Sequence, residues 1–446
     1  MKWFIGVLVL LLAALLLESG LLAYAMYVLL GLLLLSRYLA RSWIQNLEAV
    51  RHPTPATAEI GEPVKVAITI RNRGMLPIPW VLLEDLLPAS ALAVENPRLK
   101  VKGQRIQLRM FWGHSEAKLH YQIRPQMRGY YQLGPLVMET GDLFGLHRRN
   151  IVAGPARDLL VYPRTVPLQG YDLASRRPIG EMQICHRLFE DPTRISGVRE
   201  YQAGDPLARV HWRATARTGQ LHCKIYEPST LAGATILLDF HETGYPSRTE
   251  PMRSELAATA AASLAYAVSE QGQQVGLVSN GRDASDRVRR EQKEGIFENR
   301  RSARDQAMMR DRSERLRPLV IETRSGIEQF QRMREAIARL EVTDGLALSS
   351  LVSETASRLA RDGTIVALLP AVSAETALAL GSLRRQGYAV TAVLIRPGEE
   401  DREQFLARLL AEGVLDVREL NNEAELPHLC QRQVERTSPY AFAASY

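Results

Sequence analysis

Arg209, Arg213 and Arg217 recur at four-residue intervals beside Asp205, His211 and Trp212, the densest clustering of reactive side-chain types in the chain. On a helix each arginine lies one turn from the next. Such a row makes a basic platform suited to an acidic protein surface or a phosphate. A structural account competes with it. Asp205 would cap a helix whose first position is Pro206. Arg199 or Arg209 would pair with a carboxylate, and Trp212 would pack beneath the arginine stems and fill a domain junction. Gly204, Asp205 and Trp212 fit the structural account better; for the arginine row the two stand level. His211 has no carboxylate or nucleophile partner in the sequence. No Ser/His/Asp, Cys/His or paired-carboxylate set can be assembled, and no P-loop or dinucleotide glycine pattern occurs. The expectation is a protein that is not an enzyme.

After Gly219 the pattern alternates, with Leu221, Cys223 and Ile225 on one face and His222, Lys224 and Tyr226 on the other, as in a strand with one buried side. Read together, Arg199-x-Tyr201-x-x-Gly204-Asp205, Arg209-x-His211-Trp212, Ala216-Arg217 and Lys224 resemble the signature of the bacterial and archaeal domain-of-unknown-function family fifty-eight. Arg128-Gly129-Tyr130-Tyr131-x-Leu133-Gly134-Pro135, Asp142-x-Phe144-Gly145-Leu146 and Val161-Tyr162-Pro163-Arg164 are similar to the segments that precede that signature. One departure is His211, where the family commonly carries an acidic or amide residue.

The elements that would position these residues change character along the chain. Residues 3–17 and 21–35 are two apolar runs around Glu18-Ser19-Gly20, each a little short of the ~20 residues that usually span a bilayer. Lys2 at one outer end and Arg37 and Arg41 at the other put both ends in the cytoplasm by the positive-inside rule. The reading is a transmembrane hairpin over residues 1–41. A signal peptide with an Ala23-x-Ala25 site and a single long or re-entrant span are the alternatives. Residues 42–50 read as an amphipathic connector along the membrane surface.

Residues 42–155 read as an all-β sandwich of immunoglobulin-like size, with short alternating strands at 64–70, 79–85, 106–111, 118–123, 129–133 and 136–139 between Gly, Pro and Asn turns. The signature segment, 156–232, bridges to a region of alternating strands and helices, 233–427. There residues 234–239 form an apolar run ending in a carboxylate, as a fully buried parallel strand does. The alternation implies a doubly wound parallel sheet. A charged insertion, 281–317, interrupts it, and 428–446 reads as a loose tail.

This order resembles a von Willebrand factor type A domain, which implies a divalent-cation site of the form Asp-x-Ser-x-Ser with a second-loop Thr and a third-loop Asp. Here the first motif reads Asp239-Phe240-His241-Glu242-Thr243. Asp239 and Thr243 match, His241 replaces the central hydroxyl, Thr343 is either the second ligand or a helix cap, and Pro370 stands where a carboxylate is needed. Oxygen ligands on loops suit Mg²⁺, but this set is degenerate, and the expectation is no cofactor.

The chain of 446 residues is long enough for two or three cored domains, and its formal charge of +7 comes from mixed-sign sequence. No basic stripe interleaved with aromatics is present, which argues against nucleic acid as a partner. Cys185, Cys223 and Cys430 are too few and too scattered for a disulfide framework or a metal site. The family resemblance implies a protein partner, a MoxR-type AAA+ ATPase for which such chains act as adaptor or co-chaperone. The expectation is therefore an interaction protein of the inner (cytoplasmic) membrane with its soluble domains facing the cytoplasm. The alternative is an envelope-facing adhesion or assembly protein.

Overall fold

The computed structural model describes residues 2–17, 20–92, 96–142, 145, 147–154, 156–169, 190–201, 210–228, 233–285, 318–360 and 363–430. The chain divides into two compact units. One comprises Met1–Arg164, Gly281–Leu316 and Arg334–Gly345; the other comprises Thr165–Asn280, Arg317–Met333 and Leu346–Tyr446.

The first unit opens with helices α1 (Lys2–Leu16) and α2 (Gly20–Gln45), which pack on each other. Val7, Leu11 and Ala14 of α1 and Ala23 and Leu33 of α2 are buried, whereas Leu16, Leu21, Tyr24 and Val28 are exposed. α2 is long and apolar enough to cross a membrane. The 15 residues of α1 rise only about 22 Å, short of a ~30 Å hydrocarbon core. One N-terminal helix could therefore span. The last turns of α2 bury Ser36, Ala40, Trp43 and Ile44. No surface connector occupies 42–50: α2 continues to Gln45 and the chain then forms β1 (Leu47–Arg51). The amphipathic face expected to rest on lipid is spent on protein, because Trp43, Ile44 and Leu47 join the core of the strands that follow.

Those strands are β2 (Thr57–Glu59), β3 (Val64–Asn72), β4 (Ile78–Asp85), β5 (Leu99–Gly103), β6 (Ile106–Phe111), β7 (Glu116–Pro125), β8 (Gly129–Leu133), β9 (Leu136–Gly141), β10 (Arg148–Ala153) and β11 (Arg157–Tyr162). They form two four-stranded sheets, ordered β1-β3-β7-β5 and β10-β9-β4-β6, and a three-stranded sheet β2-β11-β8. Val64, Val66, Ile68 and Ile70 of β3 all point into the core, as a period of two requires. They meet Ile78, Val81 and Leu83 of β4 and Leu119, Tyr121 and Ile123 of β7 in one cluster. Each strand expected from 64 to 139 is present; those at 47–51, 57–59, 99–103, 148–153 and 157–162 lack a clean alternation or a strong turn signal.

The second unit begins with β12 (Glu190–Glu200), α3 (Trp212–Thr218) and β13 (His222–Pro228). It continues with β14 (Gly233–Leu238), α4 (Met252–Glu270), β15 (Gln274–Ser279) and β16 (Leu319–Arg324). After α5 (Ile327–Arg339), which runs across the division between the units, come α6 (Leu348–Thr355), β17 (Thr364–Leu369), α7 (Ala374–Arg385), β18 (Ala389–Ile395), α8 (Glu399–Ala411) and β19 (Asp416–Leu420). The six-stranded sheet is ordered β16-β15-β14-β17-β18-β19.

Every pairing in that sheet is parallel except β15 with β16. The wholly parallel sheet expected from the alternation is thus corrected to a mixed one. The edge strand β16 follows the charged stretch in the chain, and a reversed edge strand is a common end to such sheets. β14 and β17 are buried at every position, which is why they read as continuous apolar runs. α4 is buried on nearly its whole circumference and is correspondingly rich in alanine. Of the charged insertion, residues 286–317 lie outside the described residues, as do 431–446 of the tail.

Candidate functional site

The signature residues build an arm. β12 and β13 pair antiparallel, with Val198 opposite Lys224, Arg199 opposite Cys223 and Glu200 opposite His222. The ladder continues through the Tyr201 amide, which donates to the Leu221 carbonyl at 2.9 Å, and the His211 amide, which donates to the His222 carbonyl at 2.7 Å. Cys223 is buried in this pairing.

α3 sits between the strands and starts later than Asp205 and Pro206 imply. Val210 bridges Cys223 as extended backbone, so no continuous helix joins Arg209 to Arg213. The cap is His211, whose Nδ1 accepts the Ala214 amide at 3.0 Å. An acidic or amide side chain at this position would do the same work, so His211 keeps the chemistry of the position while changing its residue type. Gly219 closes the helix at φ 74°, donating to the Thr215 carbonyl at 2.9 Å. That left-handed position favours glycine.

Trp212 and Ala216 lie four apart on α3, as do Arg213 and Arg217, and all four are exposed. Trp212 is 67% exposed, so it does not fill a junction beneath arginine stems as expected. Arg213 and Arg217 share the helix; Gly204, Asp205 and Arg209 lie outside the described residues. The backbones of Arg199 and Lys224 are in the ladder, and Tyr201 is half-buried beside it.

A second group lies at the carboxyl end of the six-stranded sheet. From β14 the chain proceeds to β15 on one side, and β17 pairs on the other, so the crevice between the ends of β14 and β17 is a topological switch point, where ligands of open α/β sheets bind. Asp239 stands there, buried. Its Oδ1 accepts the His241 amide at 3.1 Å and the Asn280 Nδ2 at 2.8 Å. Asn280 also accepts the Phe240 amide at 2.7 Å and donates to the Leu346 carbonyl at 2.9 Å. Burial raises the Asp239 carboxyl above the usual aspartate range, against the pull of the Asn280 amide, the His241 amide and the His241 ring.

The Thr243 hydroxyl lies 2.9 Å from His241 Nδ1. Thr343 belongs to the other unit, where its hydroxyl accepts the Gly345 amide at 3.1 Å. A Cβ on Gly244 would fall 2.4 Å from the Pro370 ring, so the loop after β14 closes tightly on the loop after β17. His241 therefore engages the hydroxyl that the type A pattern would use as a ligand, and Asp239 organises a loop. Among the described residues no group of three or more His, Cys, Asp or Glu could hold a metal ion.

Two buried polar clusters escaped sequence reasoning because their members are far apart in the chain. Arg51 of β1 pairs with Asp85 Oδ1, and the Tyr121 hydroxyl donates to Asp85 Oδ2 at 2.5 Å. Burial and the Asp85 charge together push the Tyr121 phenol far above its usual range. Gly134 belongs to this cluster: at φ 90°, a Cβ there would lie 2.6 Å from Arg51 Nη2, which explains the Leu133-Gly134-Pro135 motif. The same motif places Arg128, whose Nε and Nη2 donate to the Ile337 and Leu340 carbonyls at 3.1 and 3.2 Å.

In the other cluster the Ser36 hydroxyl donates to Asp142 Oδ2 at 2.6 Å and lies 3.4 Å from His147 Nδ1. The His147 amide donates to Asp142 Oδ1 at 2.7 Å. A catalytic relay needs the imidazole between the hydroxyl and the carboxylate. Here the serine spends its proton on the carboxylate directly and is 4% exposed. Burial opposes ionisation of Asp142, yet the Ser36 hydroxyl and His147 amide hold it below the usual range. The cluster fastens α2 to the β9–β10 hairpin, and the Asp142-x-Phe144-Gly145-Leu146 motif was its sequence trace.

Residues 197–301 match the model of a family described as Protein of unknown function DUF58. The match begins within the arm and covers α3, β13, β14, α4 and β15. The Uncharacterized protein YeaD of Bacillus subtilis (strain 168) is 24% identical over 261 residues, 58% of this chain and 62% of YeaD. The chain thus matches less than two thirds of that relative's length. Among solved structures, the ASH/PapD-like domain of human CEP192 aligns at a TM-score of 0.18 and 14% identity, over 26% of this chain and 83% of that one. The CARDB domain of PF1109 from Pyrococcus furiosus aligns at 0.18 and 15%, over 26% and 86%. Proximal thread matrix protein 1 of the mussel byssus aligns at 0.28 and 10%, over 45% and 46%. TM-scores this low constrain neither fold nor ligand.

Proposed function

We propose that this chain, which carries the DUF58 segment, is a membrane-anchored, non-enzymatic interaction protein that serves a MoxR-type AAA+ ATPase as adaptor or co-chaperone. Its soluble units face the cytoplasm. The observation that carries the reading is the exposed face of α3, where Trp212 and Ala216 stand beside Arg213 and Arg217. Trp and Arg are enriched among the few interface residues whose truncation costs about 2 kcal/mol or more. A tryptophan held in water on a short helix has such a role only with a partner.

The MoxR-type partner is what the family resemblance implies. The cytoplasmic orientation rests on Lys2, Arg37 and Arg41. The two-sheet region is read as an immunoglobulin-like sandwich and the mixed sheet as a von Willebrand factor type A-like domain without its cation. The engaged hydroxyl of Thr243 and the doubly bonded Oδ1 of Asp239 support the last point.

The test is recovery of partners from native membranes on tagged full-length chain. The parent retains an AAA+ ATPase. A triple variant, Trp212→Ala with Arg213→Glu and Arg217→Glu, binds it at least about 30-fold more weakly, the equivalent of one lost anchor. Equal recovery by parent and variant would remove α3 from the interface, and no ATPase on the parent would remove the proposed partner.

A further inference from the structure

β6 is the outer strand of the sheet β10-β9-β4-β6, paired on one side only. The Asp85 amide donates to the Arg105 carbonyl at 3.1 Å, with Gln107 opposite Leu83 and Arg109 opposite Val81. Backbone groups point to alternate sides along an antiparallel strand. Arg105, Gln107 and Arg109 therefore bond toward β4, and the N–H and C=O groups of Ile106, Leu108 and Met110 point away from it. Among the described residues no other backbone takes up those groups.

The side chains of the same three residues line the outer face of the sheet, because Phe111 of β6 and Leu83 and Val81 of β4 point into the core. Ile106 is 39%, Leu108 68% and Met110 52% exposed, and Trp112, next in the row, is 66% exposed. The half-buried Leu82 lies opposite Leu108 and widens the row. Two other outer strands of the unit are defended. β5 exposes Lys100 and Lys102; β10 exposes Arg148 and Arg149 and packs against α2. Charged side chains on an edge deter pairing with another chain. The one charge within β6, Arg109, lies on the face away from the apolar row.

We propose that β6 docks a second copy of this chain, the two β6 strands pairing antiparallel about a two-fold axis at Leu108 to make one continuous sheet. Under that operation the strand is complementary to itself, as an isologous contact requires. Leu108 meets the partner's Leu108 and Ile106 meets the partner's Met110, each pair closed by the backbone groups left open on β6. Trp112 falls diagonal to the partner's Ile106. On the other face Arg109 stands opposite the partner's Gln107, so like charges are not directly opposed.

With ~150–250 Å² for an aromatic side chain and somewhat less for an aliphatic one, the exposed parts of the row amount to roughly 400 Å² per copy. Apolar patches of that size on a monomer are often functional. It is about half of the ~800 Å² per partner of a standard interface, so the pair is weak in dilute solution. A shared membrane raises its local concentration. The symmetry permits this. α2 bonds at Ser36 to Asp142 and His147, beside β9 and β10 of one sheet, and at Asn46 to Arg73, beside β3 of the other. It thus passes from one layer to the other, and a two-fold perpendicular to the sheet sends both copies of α2 out on the same side. The pairing stands whichever protein α3 binds.

Cysteine cross-linking of the full-length chain in isolated membranes, with diamide as oxidant, tests the register. Directly opposed residues of a hydrogen-bonded pair have Cα atoms ~5.5 Å apart, within reach of a disulfide. Leu108→Cys should therefore form a disulfide dimer by itself, and the parent with its native cysteines should form none. Ile106→Cys should cross-link to co-expressed Met110→Cys but not to itself, since its own copy lies about 14 Å along the strand. In detergent, Leu108→Lys should raise the dimer dissociation constant at least about tenfold. Leu108 is exposed, so the melting temperature should not change. No dimer with Leu108→Cys, equal cross-linking of every single variant, or an unchanged dissociation constant in Leu108→Lys would each overturn the proposal.

Discussion

Asp239 has the residue type and place of a cation ligand and the bonding of a loop organiser. One carboxylate oxygen takes two donors, from His241 and from Asn280. Burial works against its charge, so its folded pKa is raised. The sign follows: with a raised folded pKa, the group's favourable contribution is complete below the unfolded value near 4 and is lost as pH rises through the folded value. Asp239→Asn keeps the accepting oxygen without the charge. Its melting temperature should therefore exceed the parent's at neutral pH, with the difference vanishing below about pH 4. Asp239→Ala should instead cost about 1–3 kcal/mol for each donor left buried and unpaired. A neutral-pH Asn variant that melts below the parent would mean that the negative charge itself is needed there. The position of Asp239 after an apolar run was legible in the sequence. Asn280 was not, because it comes from the next strand 41 residues away.

At the scale of elements, the signature segment shows what spacing can and cannot decide. Arginines at four-residue intervals and a Gly-Asp-Pro turn fit one long helix, but spacing does not say where the helix starts. Val210 is committed to pairing with Cys223, which pushes the start of α3 to Trp212 and makes His211 its cap. His211→Asn should preserve α3, and His211→Ala should cost it about 1 kcal/mol. Amide exchange at Ala214 and Thr215 reads this directly; equal protection in both variants would show that the cap does not hold the helix. The strand after Gly219 was legible from its alternation. Strands β16 and β19 were not: half-buried edges carry no continuous apolar run. The buried clusters at Arg51 and Ser36 also escaped, since each joins residues dozens of positions apart.

For the whole molecule, the N-terminal helices, the β-rich region and the α/β region could be separated in the sequence by their periods alone, because each distributes its apolar residues differently: on all sides of a helix, on alternate residues, or in short unbroken runs. The reversed edge strand and the path of α2 onto the β unit depend on long-range pairing that no local period encodes. The functional account depends on which side of the membrane these units occupy. The most direct measurement is sided labelling of Ala216→Cys, on the exposed face of α3, with a membrane-impermeant maleimide and the parent chain as background. The account predicts labelling only after the cytoplasmic membrane is opened; labelling of intact cells with the membrane sealed would contradict it and turn both soluble units outward.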